Sequence, residues 1–430
     1  MSAAARQRGL IVLLAATFLT WGGFFVVVPL IAVHYVDGLG WAASSIGLVL
    51  AVRQFTQQGT TTLSGALADR LGAKGLICAG MFVRALGFAI MARADTFPIL
   101  MLSAIVAALG GGLFESPKAA AIATLTDESN RRRFYSLAGV VAGLGVAIGT
   151  QVGALLIRQD FATVSLAGAV VFFVTFLLVL IFLPAVRVAT ESHGVFQGFA
   201  RVSRDTLFAA YVCLLMGYWF MSTQFNLSLT LTAAAVAGTD TAVAWVWGVN
   251  SAATVLLGYP LPRLVEHRIS AYPMLVVGVV VTALGMGLVG AASNVPVLLA
   301  CVFIISLGSV LVRPGEQTVT AGLAAPAARG SYFGVAALSL AIGGGLGNYT
   351  GGLIYDYGER SNMPALPWLV FGGIGLIAAA GLWRLGAKID RREGVGVEVG
   401  PHPRPLTLPR ERGDDAARSP SPAVGRGGRG

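Results

Sequence analysis

Leu109-Gly110-Gly111-Gly112-Leu113-Phe114-Glu115-Ser116-Pro117-Lys118 and Leu307-Gly308-Ser309-Val310-Leu311-Val312-Arg313-Pro314-Gly315-Glu316 are two versions of one segment, 198 positions apart. Extended without a gap, residues 109–155 and 307–353 share eleven identities in 47 positions, among them Arg131 with Arg329 and Gly145, Gly149 and Gly153 with Gly343, Gly347 and Gly351. Such a repeat divides the chain into two halves. Inside it the charges are reversed: Glu115 and Lys118 stand where Arg313 and Glu316 stand in the second copy. Both copies lie in long apolar runs, where an ionised side chain costs about 3 kcal/mol at a helix centre by insertion scales.

The rest of the 430-residue chain explains those runs. It is 56% hydrophobic and 12% charged, and short polar breaks cut it into apolar stretches of about 20 residues, the length that crosses a bilayer as a helix. Twelve spans are expected, at about 10–33, 44–66, 75–94, 98–123, 134–157, 162–184, 206–233, 242–264, 271–291, 295–320, 331–354 and 366–386. The first has basic residues ahead of it but stays apolar too long for a signal peptide and lacks a small-residue cleavage site. The repeat offset spans an even number of helices, so the halves share one topology and a pseudo-twofold axis runs along the membrane normal. The fold expected is an all-α membrane protein of twelve transmembrane helices in two related six-helix bundles, with a binding site between the halves near the midplane.

The formal charge of +10 follows the bilayer and gives no reason to expect a nucleic-acid partner. With the N-terminus inside, the cytoplasmic loops collect Arg6, Arg8, Arg70, Lys74, Arg131, Arg132, Arg133, Arg187, Arg201, Arg204, Arg263, Arg268 and Arg329, against Arg93, Arg158 and Arg360 outside. By the positive-inside rule both termini are cytoplasmic. Residues 1–184 form the first bundle, 185–205 a polar cytoplasmic linker, and 206–387 the second bundle. Residues 388–430, rich in Gly, Pro and Arg, are expected to be a disordered cytoplasmic tail. Cys78, Cys213 and Cys301 have neither the spacing of a metal site nor that of a redox pair. No cofactor is expected.

Between the second and third spans stands Gly65-Ala66-Leu67-Ala68-Asp69-Arg70-Leu71-Gly72-Ala73-Lys74. Gly72 permits a tight turn, Arg70 and Lys74 satisfy the positive-inside rule, and Asp69 can face the positive end of a helix. On loop chemistry a simple connection and a gate are equally open. The pattern resembles the signature of the major facilitator superfamily, short of one basic residue where Ala73 stands. In that family the aspartate and its basic neighbours latch the cytoplasmic side against the start of span 11, which would put Asp69 near Gly330.

A closer resemblance, to the drug efflux (drug/proton antiporter) group, is carried by Phe24-Phe25-Val26-Val27-Val28-Pro29-Leu30, Arg53-Gln54-Phe55-Thr56-Gln57-Gln58-Gly59, Arg329-Gly330-Ser331-Tyr332 and Leu366-Pro367-Trp368. It covers the chain to about residue 386 and implies export of drugs, planar antibacterials such as quinolones among them. The chain departs from the antiporter pattern at Gly149-Thr150 and Gly153-Ala154, in having no arginine ahead of Gly110, and in having no acidic residue in the first span.

Six ionisable side chains fall within the expected spans: Arg53, Arg84, Glu115, Lys118, Arg313 and Glu316. Facing lipid, they would together cost nearly 20 kcal/mol at about 3 kcal/mol each, so they face protein or water. Glu115 can pair with Lys118 along one helix, as Arg313 can with Glu316; alternatively the pseudo-twofold axis lets Glu115 meet Arg313 and Lys118 meet Glu316. In the second arrangement the pairs close the inner cavity and part as it opens, which makes the two glutamates the candidate proton carriers. The cavity candidates are Phe25, Arg53, Gln57, Arg84, Trp219, Gln224, Asn250 and Asn348; aromatic walls with few polar groups suit amphipathic or cationic substrates. The glycine stripes read either as tight packing or as surfaces on which the halves slide.

These features together point to a secondary transporter in the bacterial inner membrane, surrounded by lipid; the family resemblance implies that it is a monomer. It would export small amphipathic compounds in exchange for protons. A carrier of the same fold moving a sugar or organic acid stays open, separable by transport with a collapsed pH gradient. An enzyme lacks a nucleophile–base set here, and a sensor lacks a soluble output domain.

Overall fold

The computed structural model describes residues 3–185, 202, 205–324 and 329–396, and within these every regular element is helical. The first half contains α1 (Ala3–Ala32), extended by a π-helical turn (Val33–Gly38), α2 (Ala43–Leu71), α3 (Ala73–Met91), α4 (Phe97–Leu125), α5 (Glu128–Leu156) and α6 (Phe161–Phe182). In the second half α7 (Thr206–Ser222) and α8 (Ser228–Ala237) are linked through a 3-10 turn, and α9 (Ala242–Leu257) meets α10 (Pro260–Glu266) at 52°. There follow α11 (Ala271–Val289), α12 (Val295–Leu323), α13 (Arg329–Leu338) passing through a π turn (Ser339–Gly344) into α14 (Gly345–Arg360), and α15 (Leu366–Gly396).

Among the described residues nine helical runs are long and apolar enough to cross a membrane, or ten with the bent α9–α10 pair. The two further runs, α2 and α13–α14, are the expected spans 2 and 11. Arg53, Gln54, Gln57 and Gln58 lower the hydropathy of the first, and Asn348, Tyr349 and Thr350 that of the second. These two polar helices pack against each other across the halves, so each shields the other from lipid.

The repeat in the sequence is a repeat of backbone contacts. A Cβ added to Gly110 would come within 2.5 Å of Arg84 N, and one on Gly308, 198 positions on, within 2.5 Å of Thr282 N. Gly87 against Ala107 N (2.5 Å) recurs as Gly285 against Ile305 N (2.9 Å). These glycines bring α3 onto α4 and α11 onto α12 at backbone distance. The stripes behave likewise: Gly145 and Gly149 lie on Phe18 and Gly22 of α1, and Gly343 and Gly347 on Met216 and Phe220 of α7. Tight packing within each half is therefore what these faces do.

Helix ends depart from the expected boundaries where polar residues continue a helix. Gly72, at φ +81°, is the sole residue between α2 and α3, so the expected loop is mostly the last turns of α2. The last helix reaches Gly396, past the expected tail boundary at 388. Residues 397–430, and most of the 185–205 linker, lie outside the described residues. Asp160 caps α6 by accepting from Thr163 N–H, which holds its carboxyl below the usual carboxylate range.

Candidate functional site

Glu115 and Lys118 sit one turn apart on α4, around Pro117, and Lys118 Nζ lies 3.1 Å from Glu115 Oε2. The ammonium also stands 4.6 Å from the centroid of the Phe114 ring. On α12, flanking Pro314, the Arg313 guanidinium lies 5.5 Å from the Trp219 ring centroid. Tyr211 Oη donates to the Glu316 main-chain carbonyl at 3.3 Å. Among the described residues no hydrogen bond or ion pair joins α4 to α12. In this conformation the first quartet is satisfied along its own helix, and Arg313 leans on an aromatic ring of its own half.

The opposite end of the bundle is shut. At the start of α2, Ala43 N–H and Ser44 N–H donate to the two carboxylate oxygens of Asp356 on α14, at 2.8 and 2.9 Å. A Cβ on Gly352 would come within 2.6 Å of Ala43 O, and Gly47 lies directly on the Asn348 main chain. Deeper in, Gly345 rests on the Phe55 ring. Between α5 and α9, Gln151 Nε2 donates to Ala244 O at 3.1 Å. Phe25 meets Trp247 edge to face at 4.7 Å across the halves. The halves thus close where α2 begins and α14 ends, while the charged quartets near the other end are not bridged.

Three of the cavity candidates gather inside the first half. Arg53 Nη1 donates to Gln57 Oε1 at 3.2 Å, and both Arg53 and Arg84 face the Phe24 ring, at 5.2 and 4.9 Å from its centroid. Arg84 also packs on Phe172 at 4.9 Å. The remaining candidates make packing contacts and hydrogen bonds between helices. Gln224 is fully buried, donating to Gly347 O at 2.7 Å and accepting from Ser228 Oγ at 3.0 Å, so it ties α7 to α14. Asn250 Nδ2 donates to Ser306 Oγ at 3.0 Å between α9 and α12. Asn348 is 3% exposed, and its main chain forms the close contact with α2. Trp219 is buried against Tyr218 and Arg313.

In the gating segment, Gly65, Asp69 and Arg70 lie on the last turns of α2, and Gly72 makes the turn to Lys74 on α3. The side chains of Asp69 and Arg70, and the expected approach of Asp69 to Gly330, lie outside the described residues. One residue with clear contacts was not among the candidates: Asp356. The signal for Asp356 was present, since Gly345, Asn348, Gly352 and Asp356 recur at helical spacing on one face.

A family model described as Major Facilitator Superfamily matches residues 13–269 and 207–410. The chain belongs to this superfamily. It is a multi-pass membrane transporter and not an enzyme. It is 41% identical over 380 residues to a multidrug resistance protein MdtH of Photorhabdus laumondii, covering 88% of this chain and 95% of that protein. A protein of the same name from Yersinia enterocolitica is 40% identical over 379 residues, covering 88% and 94%. Among solved structures, the nucleoside transporter NupG has a TM-score of 0.76 at 15% identity, covering 87% of this chain and 98% of that one. A bacterial homologue of the lysosomal transporter Spinster, solved inward-facing and unoccupied, has a TM-score of 0.72 at 14% identity, covering 90% and 98%. At these identities the structures establish the fold alone.

Proposed function

We propose that the chain is a drug exporter that works by alternating access and exchanges its substrate for protons. The observation that carries this reading is the one-sided closure: α2 and α14 meet at backbone distance at one end, while Glu115, Lys118, Arg313 and Glu316 are not bridged at the other. The substrate class follows from the multidrug resistance relatives, which match nearly the whole chain. The positive-inside pattern of the loops supports cytoplasmic termini in a bacterial inner membrane, and in that orientation the closed end is periplasmic. The protein acts as a monomer.

In the alternate state the periplasmic contacts part, and α4 and α12 approach. Glu115 then meets Arg313, and Lys118 meets Glu316, with the Asp69 segment latching toward Gly330. Returning to the present conformation gives Lys118 back to Glu115 and leaves Glu316 without that cation, the kind of loss that favours protonation of a carboxylate. Protons would thus be taken up and released as the halves rock. Uptake of a fluorescent amphipathic drug into inverted membrane vesicles tests the reading. Accumulation that requires an imposed pH gradient is expected, and accumulation indifferent to the gradient would rule out exchange for protons.

A further inference from the structure

Arg84 is only 5% exposed, yet it forms no hydrogen bond or ion pair with any described residue. Its guanidinium is held between the Phe24 and Phe172 rings, and its Nε is buried without a partner. Arg53 on the neighbouring helix has a partnerless buried Nε as well, and its guanidinium lies 5.2 Å from the centroid of the same Phe24 ring. Both cations line a space of about 10 Å³ between α1, α2, α3 and α4. Its other walls, including Val28, Ile31, Leu50 and Ala107, are apolar. The charge of Glu115 reaches Arg84, but its carboxylate is paired with Lys118 and bonds neither arginine.

Two guanidiniums in an apolar enclosure repel each other and have given up hydration, and ring faces return only part of that cost. A compact negative charge would offset both terms and accept the unused N–H groups. The space holds an atom or two and no drug-sized body. We infer that the Arg53–Arg84 pair is a binding site for a compact monoanion, either a free halide or a carboxylate borne by a solute. An anion there ties α2 to α3 in the first half. Because α2 is also the helix that closes on α14, occupancy stiffens one side of the gate. The inference concerns the interior of one half and does not depend on which substrate is exported.

The test uses the purified full chain, titrated from 0 to about 300 mM with chloride or formate at constant ionic strength, the bulky sulfonate anion of HEPES replacing the removed anion. The readout is the midpoint of thermal unfolding. A saturable rise of about 2 °C or more is expected, absent in Arg84→Gln and reduced in Arg53→Gln. Arg53 is less buried, so its variant serves where Arg84→Gln does not fold. A rise with chloride identifies a free anion, and a rise with formate but not chloride identifies a carboxylate. No saturable rise with either, or the same rise in wild type and in a folded variant, overturns the proposal.

Discussion

Asp356 Oδ1 accepts a 2.8 Å hydrogen bond from the main-chain N–H of Ala43, joining the end of α14 to the start of α2 across the two halves. The first N–H groups of a helix lack intrahelical partners and carry its positive pole, so a carboxylate suits that place. A residue of the second half thereby caps a helix of the first. Removing the cap by Asp356→Ala costs about 1 kcal/mol of the closed state, a shift of about fivefold toward opening at that end. Spin labels at residues 40 and 361 report it as an enlarged long-distance population; an unchanged distribution would deny Asp356 this role.

Glycines between halves and glycines within a half separate by consequence. Gly352→Val puts branched carbon against Ala43 and Ser44, so it obstructs closure between the halves while each half can still fold. Export is expected to fall to background with normal amounts of folded protein. Gly308→Val presses on Thr282 inside the second half, and overpacking of about 1–3 kcal/mol appears there as lost thermal stability. Transport rate and unfolding midpoint, measured on both variants, check the contrast.

Gln224→Leu leaves the Gly347 carbonyl and Ser228 hydroxyl without this partner in a fully buried place. A loss of about 1–3 kcal/mol in stability is expected, with the ranking of exported compounds unchanged. A changed ranking at unchanged stability would put Gln224 in contact with substrate.

Residues whose role is fixed by backbone contact were legible in the sequence. Gly110 and Gly308 recur because each half needs the same close approach of two helices, and no other residue type permits it. The single-residue turn at Gly72 was legible for a related reason, its positive φ. The hydrogen bonds of Gln224 were not legible, because a polar residue near the midplane has the same signature whether it lines a cavity or bonds a neighbouring helix. Asp356 was passed over because span 11 was expected to end at 354, whereas α14 runs to Arg360. The partner of Glu115 was not decidable from spacing, since Lys118 is one turn away on α4 and Arg313 is its counterpart in the other half.

The quartet's present pairing also sets an expectation. Lys118→Gln removes the partner of Glu115 here and, in the proposed alternate state, the partner of Glu316. Both states lose an ion pair, so the conformational equilibrium shifts little while each glutamate lacks its lysine partner in one of the two states. Export is expected to lose rate with its optimum displaced to higher pH. An unchanged pH profile would separate Lys118 from the coupling step.

The proton-carrying role of Glu115 and Glu316 is tested most directly by drug uptake into inverted vesicles driven by an imposed pH gradient, comparing wild type with the Glu115→Gln, Glu316→Gln double variant. Gradient-driven accumulation in the wild type, and its loss in a folded double variant that still binds the drug, is the expected result. Full gradient-driven accumulation by the double variant would contradict it.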